Sequence, residues 1–314
     1  MAGFTTVRDV GAADFIDVGL RNSIRRGTVV GPRMLTATAG LGTTGGHCDD
    51  GNSWRKGVLA DETGPGVADG PEALRAKVRE VVKYGADLIK VCATGGVLSL
   101  NADVGSPQLT QAELDAVVDE AHARGRKVAA HAHGAEGAKR AIRAGVDSIE
   151  HGSMLDDEAL ELMKKKGTWF VPTAMAFQGV KELADKGSLP EENVRKVRTV
   201  EASREQVLRK AISRGVRIAF GTDAGVYAHG RNAGEFALLV QAGMSPAESL
   251  RAATVHAAEL LGVSATLGTL EPGKLADVVA VPGNPLEDIR KTQAVFFVMK
   301  EGVIHRDDTA PSSA

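Results

Sequence analysis

Residues 127–153 read "KVAAHAHGAEGAKRAIRAGVDSIEHGS". A short apolar run ends in His131 and His133, helical sequence follows over about 135–144, and Gly145 precedes a second apolar run ending in His151. Glycine just past a helix adopts the left-handed conformation and stops it. Two strands separated by a full helix pair in parallel, because an antiparallel pair needs only a short turn. On a strand, His131 and His133 at i, i+2 point to one face.

The same unit recurs in both directions. Upstream, "FTTVRDV" (4–10), "RMLTATAG" (33–40) and "ADLIKVCATGG" (86–96) each precede helical sequence, near 14–26, 71–84 and 110–124. Downstream, "DSIEHGS" precedes a helix at 156–166, "TWFVPT" (168–173) precedes helical sequence to about 214, and "VRIAFGTDAG" (216–225) precedes helices near 232–242 and 245–262. "KYGAD", "ARGRK", "RAGVD", "KKGTW" and "SRGVR" each set a glycine before the next strand. Thr110 and Glu113 form a capping-box pattern, and Asp156 is a plausible helix cap. Seven such units favour a TIM-like (β/α)8 barrel over an open doubly wound sheet, with one strand short of closure. The barrel is expected over 1–264. Residues 265–314 have Gly/Pro turns, β-branched runs and no helical pattern, so they read as a small all-β portion.

Composition narrows the function. The 314 residues are 43% hydrophobic and 25% charged, with net charge −2. That balance gives no sign of a nucleic-acid partner. No run of 18 apolar residues suggests a spanning helix, and no leader pattern opens the chain, which points to a cytoplasmic protein. The basic "MKKKG" (163–167) suits a helix end. Cys48 and Cys92 are too few and too far apart for a disulfide framework, and Cys92 is expected in the core.

Chemistry on such a barrel sits at the C-terminal ends of the strands. Those ends carry Asp9, Lys90, His131 with His133, His151 and Asp223. A single strand-end histidine is usually just a hydrogen-bonded polar residue. Imidazole and carboxylate from several strands together fit a metal centre. Lys90 lies among apolar neighbours in "DLIKVCA", where an ammonium is costly and loses its proton readily. The free amine can add carbon dioxide to give an anionic carbamate able to bridge two metal ions. Asp223 fits a general base: a metal lowers the pKa of its water to about 7, and the carboxylate takes that proton and returns it to the leaving amine.

Across the chain, "AGFTTVRDVG", "GPRMLTATAGLGTTGGHCD", "LIKVCATGGVLS", "VAAHAHG", "SIEHG", "GTDAGVYAHGRNAGEF" and "LEPGKLADVVAV" resemble the amidohydrolase superfamily. Within it they resemble the Xaa-Pro dipeptidase and imidazolonepropionase-like branch. The resemblance implies Lys90 as a carboxylated lysine bridging two zinc ions, His131 and His151 as ligands, and Asp223 as ligand and general acid/base. It also makes the C-terminal β portion part of a β-sandwich, and it suggests homo-oligomers. The family carries an H-x-H pair on its first barrel strand. Chain order keeps 131–133 from being that pair, since three strand units and the lysine precede it. The first strand is therefore expected upstream of Met1, and the barrel is expected to lack it.

His133 and His229 are then candidates for substrate binding, and His47 in the Gly-rich "GGHCDD" for the entrance. His122, His256 and His305 read as structural. The expected activity is metal-dependent cleavage of dipeptide-like amide bonds. Hydrolysis of a cyclic or non-peptide amide or a lactone is the alternative, since the fold does not set the substrate. A further alternative is a truncated, catalytically impaired fragment holding one ion, because Lys90, His131, His151 and Asp223 alone leave one of two sites short of ligands. A metal-free binding module leaves the four strand-end ligands unexplained.

Overall fold

The computed structural model describes residues 1–58 and 64–309. Six short strands are parallel and follow chain order: β1 (Thr6–Asp9), β2 (Arg33–Thr36), β3 (Ile89–Cys92), β4 (Val128–Gly134), β5 (Ser148–Met154) and β6 (Trp169–Val171). β1 pairs with β2, and β3-β4-β5-β6 form one sheet. Parallel bridges Leu41↔Val91 and Phe170↔Ile218 extend the series at both junctions. The expected strand at 216–225 is thus only a single bridge, because the Phe220 amide donates to the Ala252 carbonyl (3.0 Å) instead of to a strand.

Helices connect these strands. They are α1 (Ile16–Arg25), α2 (Pro71–Lys83), α3 (Gln111–Ala123), α4 (Ala135–Ala144), α5 (Asp157–Lys166), α6 (Ala174–Asp185) and α7 (Glu191–Ser213), then α8 (Gly234–Gln241), α9 (Pro246–Arg251) and α10 (Ala257–Leu261), with one wide turn at Ala252–His256. The local signals account for their ends. Thr110 and Glu113 cap α3 reciprocally, and Asp156 accepts from the Ala159 amide at the start of α5. Lys164, Lys165 and Lys166 occupy the last turn of α5, where the helix dipole favours cations. Gly85, Gly125, Gly145, Gly167 and Gly215, the five glycines before strands, all have positive φ.

Each helix buries one stripe. In α2 it is Leu74, Val78 and Val81, the i, i+4, i+7 positions that a 3.6-residue period aligns. They pack with Ile89, Val91, Val128, Ala130, Ala132 and Ile149 from the outer faces of β3, β4 and β5. The alternate positions, Lys90, His131, His133, Ser148 and Glu150, face the other way.

The inner face is concave. Arg8 on β1 donates to Ser148 Oγ (3.1 Å) and Glu150 Oε1 (2.8 Å) on β5. In a flat sheet four strand spacings of about 4.8 Å would separate them, well beyond an arginine's reach. The sheet therefore curls. Phe4, just before β1, stacks on Phe220 with ring centroids 5.7 Å apart. Side chains bring the two ends of the series together there; among the described residues no strand pairing closes them.

Three antiparallel strands, β7 (Val278–Ala280), β8 (Phe297–Lys300) and β9 (Val303–Asp307), form a separate sheet. A short 3-10 helix at Ile289–Gln293 interrupts the expected all-β stretch. Arg33 on β2 pairs with Asp277 (3.1 Å) and Glu301 (2.5 Å), fastening this sheet to the parallel one.

The cysteines correct the sequence reading. The Gly-rich loop after β2 folds back over β3, so the Cys48 and Cys92 Cα atoms lie 5.9 Å apart and the sulfurs are bonded. Spacing along the chain had no bearing on this, because the loop's return path set the distance. No helix of the described residues is long and apolar enough to cross a membrane.

Candidate active site

A cavity of about 170 Å³ opens beyond the C-terminal ends of the parallel strands. His47, His131, His133, His151 and Asp223 line it, with side chains of α6 and α7, Arg204 among them, and loop residues such as Val97, Leu98 and Val226. His131 and His133 share a face of β4, as their spacing predicts, with ring centroids 4.8 Å apart. His151 lies 4.7 Å from His131 and 5.2 Å from His133 by the same measure.

His151 reaches the cavity for a reason that alternation does not supply. Glu150 before it faces inward, so a regular strand would turn His151 outward. Its φ of 71°, with Gly152 at 54°, turns the side chain back in. Thr173 after β6 (φ 47°) and Asp223 (φ 50°) share the left-handed conformation. Such backbone costs a non-glycine residue energy, most of all a β-branched one, and it persists where surrounding contacts enforce it. Three strained residues at successive strand ends around one cavity mark it independently of residue type.

The hydrogen bonds fix the rings. His131 Nε2 lies 3.0 Å from the Gly95 carbonyl, so it donates and leaves Nδ1 with its lone pair. His151 Nδ1 bonds Thr173 Oγ1 (2.7 Å), leaving Nε2 free, and His133 Nδ1 meets Ser153 Oγ (3.1 Å). His47 stacks 4.1 Å from His131 by ring centroids, and its buried Nδ1 has no hydrogen-bond partner. A side chain at Gly96 would collide with the His47 ring, at 2.2–2.7 Å, so glycine there keeps the slot open.

Burial keeps all four imidazoles neutral. His47 is lowered to about 4 and His133 to about 3, while His131 and His151 fall well below the ordinary range; desolvation is the main cause, with the neighbouring imidazoles and Lys90 adding to it. Lys90 sits beneath them on β3, 7% exposed, and desolvation lowers its amine, opposed by the Glu150 and Asp223 charges. Asp223 opens to solvent on one side, but the protein packed around it raises its carboxyl by desolvation, against the pull of Lys90.

These shifts carry a sign. Unfolded histidines bind protons near pH 6.5, whereas folded His47 does so only near 4 and His133 near 3. Between those values the unfolded chain holds more protons, so acidification favours it. Buried Glu235, pushed up to about 7 by desolvation, and the raised carboxyls of Asp223 and Asp9 act oppositely, three groups against the four imidazoles. For protein held in chelator, the urea midpoint is expected to fall as the pH drops from about 6.5 to about 4. A midpoint that holds or rises over that window would show the imidazoles to be solvated.

The donor set suits a divalent cation of the zinc type: neutral imidazoles with free lone pairs, a carboxylate, and a lysine amine whose pKa burial lowers. Among the described residues no three His, Cys, Asp or Glu side chains stand as a ready metal cage. Of the residues singled out from sequence, His131, His133, His151 and Asp223 line the cavity and Lys90 lies below it. His229 does not line it; it is exposed on the loop beyond Asp223, where its charge acts on Asp9. His122 pairs with Asp147 (3.0 Å) and His256 with the Ile218 carbonyl (3.0 Å), as structural residues. Sequence reading gave no role to Arg8, Glu150, Thr173, Arg204 or Glu235. The "E" of "SIEHG" was the one visible trace of the inner polar layer.

The sequence model of the amidohydrolase family matches residues 1–306. A crystal structure of a Xaa-Pro dipeptidase with methionine bound in its active site superposes with a TM-score of 0.94 at 46% identity, over 97% of this chain and 76% of that one. A prolidase complexed with N-methylphosphonate-L-proline superposes at 0.88 with 34% identity, over 98% and 76%. The ochratoxinase of Aspergillus niger is 37% identical over 97% of this chain, which spans 66% of that enzyme's length.

Proposed function

The chain belongs to the amidohydrolase family, and from that premise we propose that it hydrolyses dipeptide-like amide bonds on a TIM-like barrel whose first strand lies outside these 314 residues. Strand order supports the barrel. A doubly wound sheet reverses direction at a switch point, whereas here the strands within β1-β2 and within β3-β4-β5-β6 pair in chain order, a single bridge at Leu41↔Val91 continues that order between them, and the series curls on itself.

The observation that carries the activity is the convergence of His131, His151 and Asp223 on one cavity above a desolvated lysine. Lys90, as its carbamate, His131, His151 and Asp223 would hold the metal. A divalent ion there supplies Lewis acidity toward the amide carbonyl and makes water acidic. Asp223 accepts the proton of the attacking water and passes it to the departing amine nitrogen, so that atoms and charge balance across the step. His133, fixed by Ser153, and His47, fixed through its backbone amide to Gln108 Oε1 (2.7 Å), orient the substrate from two sides. The inner pair Arg8–Glu150 sets the charge beneath Lys90.

Likeness to an ochratoxinase favours a second reading, a substrate whose amide joins a non-peptide group. A panel of Xaa-Pro dipeptides, other dipeptides and N-acyl amino acids, given to zinc-loaded protein that includes the first barrel strand, tests both. Turnover confined to the N-acyl compounds would establish the second, and turnover of none would end the amidase assignment. Labelling with 13C-bicarbonate reads the lysine separately: one carbamate resonance is expected, absent from Lys90→Met.

A further inference from the structure

We propose that Arg204 is the specificity residue of this cavity, pairing with the carboxylate of the substrate's leaving residue. The inference rests on the amidase reading and adds which end of the substrate enters where. Arg204 lies on α7, half-buried, and lines the same cavity as the histidines and Asp223. Its guanidinium stands over the Phe177 ring, 4.4 Å from the centroid. Among the described residues no hydrogen bond or ion pair engages it. The other cations near it behave differently: on α7 Arg195 pairs with Glu191, Lys196 with Glu192, Arg209 with Glu205 and Lys210 with Asp157, as does Arg214 just past its end, while Arg198, which also lacks a pair among the described residues, stands exposed to solvent rather than in the cavity.

Glu235 acts on Arg204 through space but does not pair with it. Both Glu235 oxygens are taken by the Ala174 and Met175 amides, and no ion pair joins Glu235 to Arg204. An unpaired guanidinium in a partly desolvated pocket is costly until an anion arrives, and its planar fork suits a carboxylate. The neighbouring contacts place it toward the reacting end: Ser203 Oγ donates to the Ser153 carbonyl (2.9 Å), and the Ser153 hydroxyl holds His133. Val97, Phe177, Val180 and Val200 form the wall between, which fits an apolar leaving residue. Burial lowers the arginine's pKa in keeping with this setting.

The test compares acid and amide forms of one ligand. L-proline and L-prolinamide are titrated calorimetrically into zinc-loaded wild type, Arg204→Lys and Arg204→Met, with thermal melts confirming folding. Wild type is expected to favour the acid by about 10- to 100-fold, Arg204→Lys to keep part of that preference, and Arg204→Met to lose it. In turnover of Leu-Pro against Leu-Pro amide, the same loss should appear in KM rather than kcat. A wild type with no preference for the acid, or an Arg204→Met protein that keeps it, overturns the assignment. Wild type turning over no amide at all would instead count against the amidase reading, and the binding titration would still decide the role of Arg204.

Discussion

Asp223→Asn is expected to lower kcat/KM for the best dipeptide by about 10²- to 10⁴-fold, the range that a positioned proton acceptor contributes. The change is nearly isosteric, so the chain should fold as before. Asparagine also tolerates the left-handed φ of 50° at this position better than most residues, so strain is not a competing cause. What is removed is the only carboxylate lining the cavity among the described residues, and with it the proposed site for the transferred proton. Activity within threefold of wild type, in protein of matched metal content, would exclude Asp223 from proton transfer.

The second large effect is on stability. Glu235 is fully buried and accepts from the Ala174 amide (2.9 Å) and the Met175 amide (2.7 Å), the first two of α6. Helix N-termini present unsatisfied donors, and here a carboxylate from α8 satisfies two of them in the core. Glu235→Ala leaves both buried and unbonded, which costs about 1–3 kcal/mol for each, or roughly 2–6 kcal/mol in all. That is a large fraction of the ordinary 5–15 kcal/mol of a folded domain. Urea denaturation should show it, with Glu235→Gln intermediate, because its single amide oxygen replaces one of the two accepting oxygens while its NH2 group faces the other amide as a second donor. Because α6 carries Phe177 and begins next to Thr173, the Ala variant should also weaken substrate binding. A Glu235→Ala midpoint equal to wild type would mean that water reaches those amides.

The sequence by itself determined the alternation of strand and helix, the parallel pairing, most helix ends and the shared face of His131 and His133. Those features follow from local rules: period, capping and the five left-handed glycines that end helices before strands, which act over a few residues and leave their mark in the letters. It also singled out Lys90, His151 and Asp223 as strand-end residues. The tertiary structure alone decided which of these meet. Alternation along β5 would have turned His151 away, and only the enforced backbone at 151–152 brings it in. The Cys48–Cys92 bond, the Arg8 reach across to Glu150 and the grip of Glu235 on α6 join residues 44, 142 and 60–61 positions apart. No local pattern encodes such separations, because they depend on how far the sheet curls and on where each loop returns.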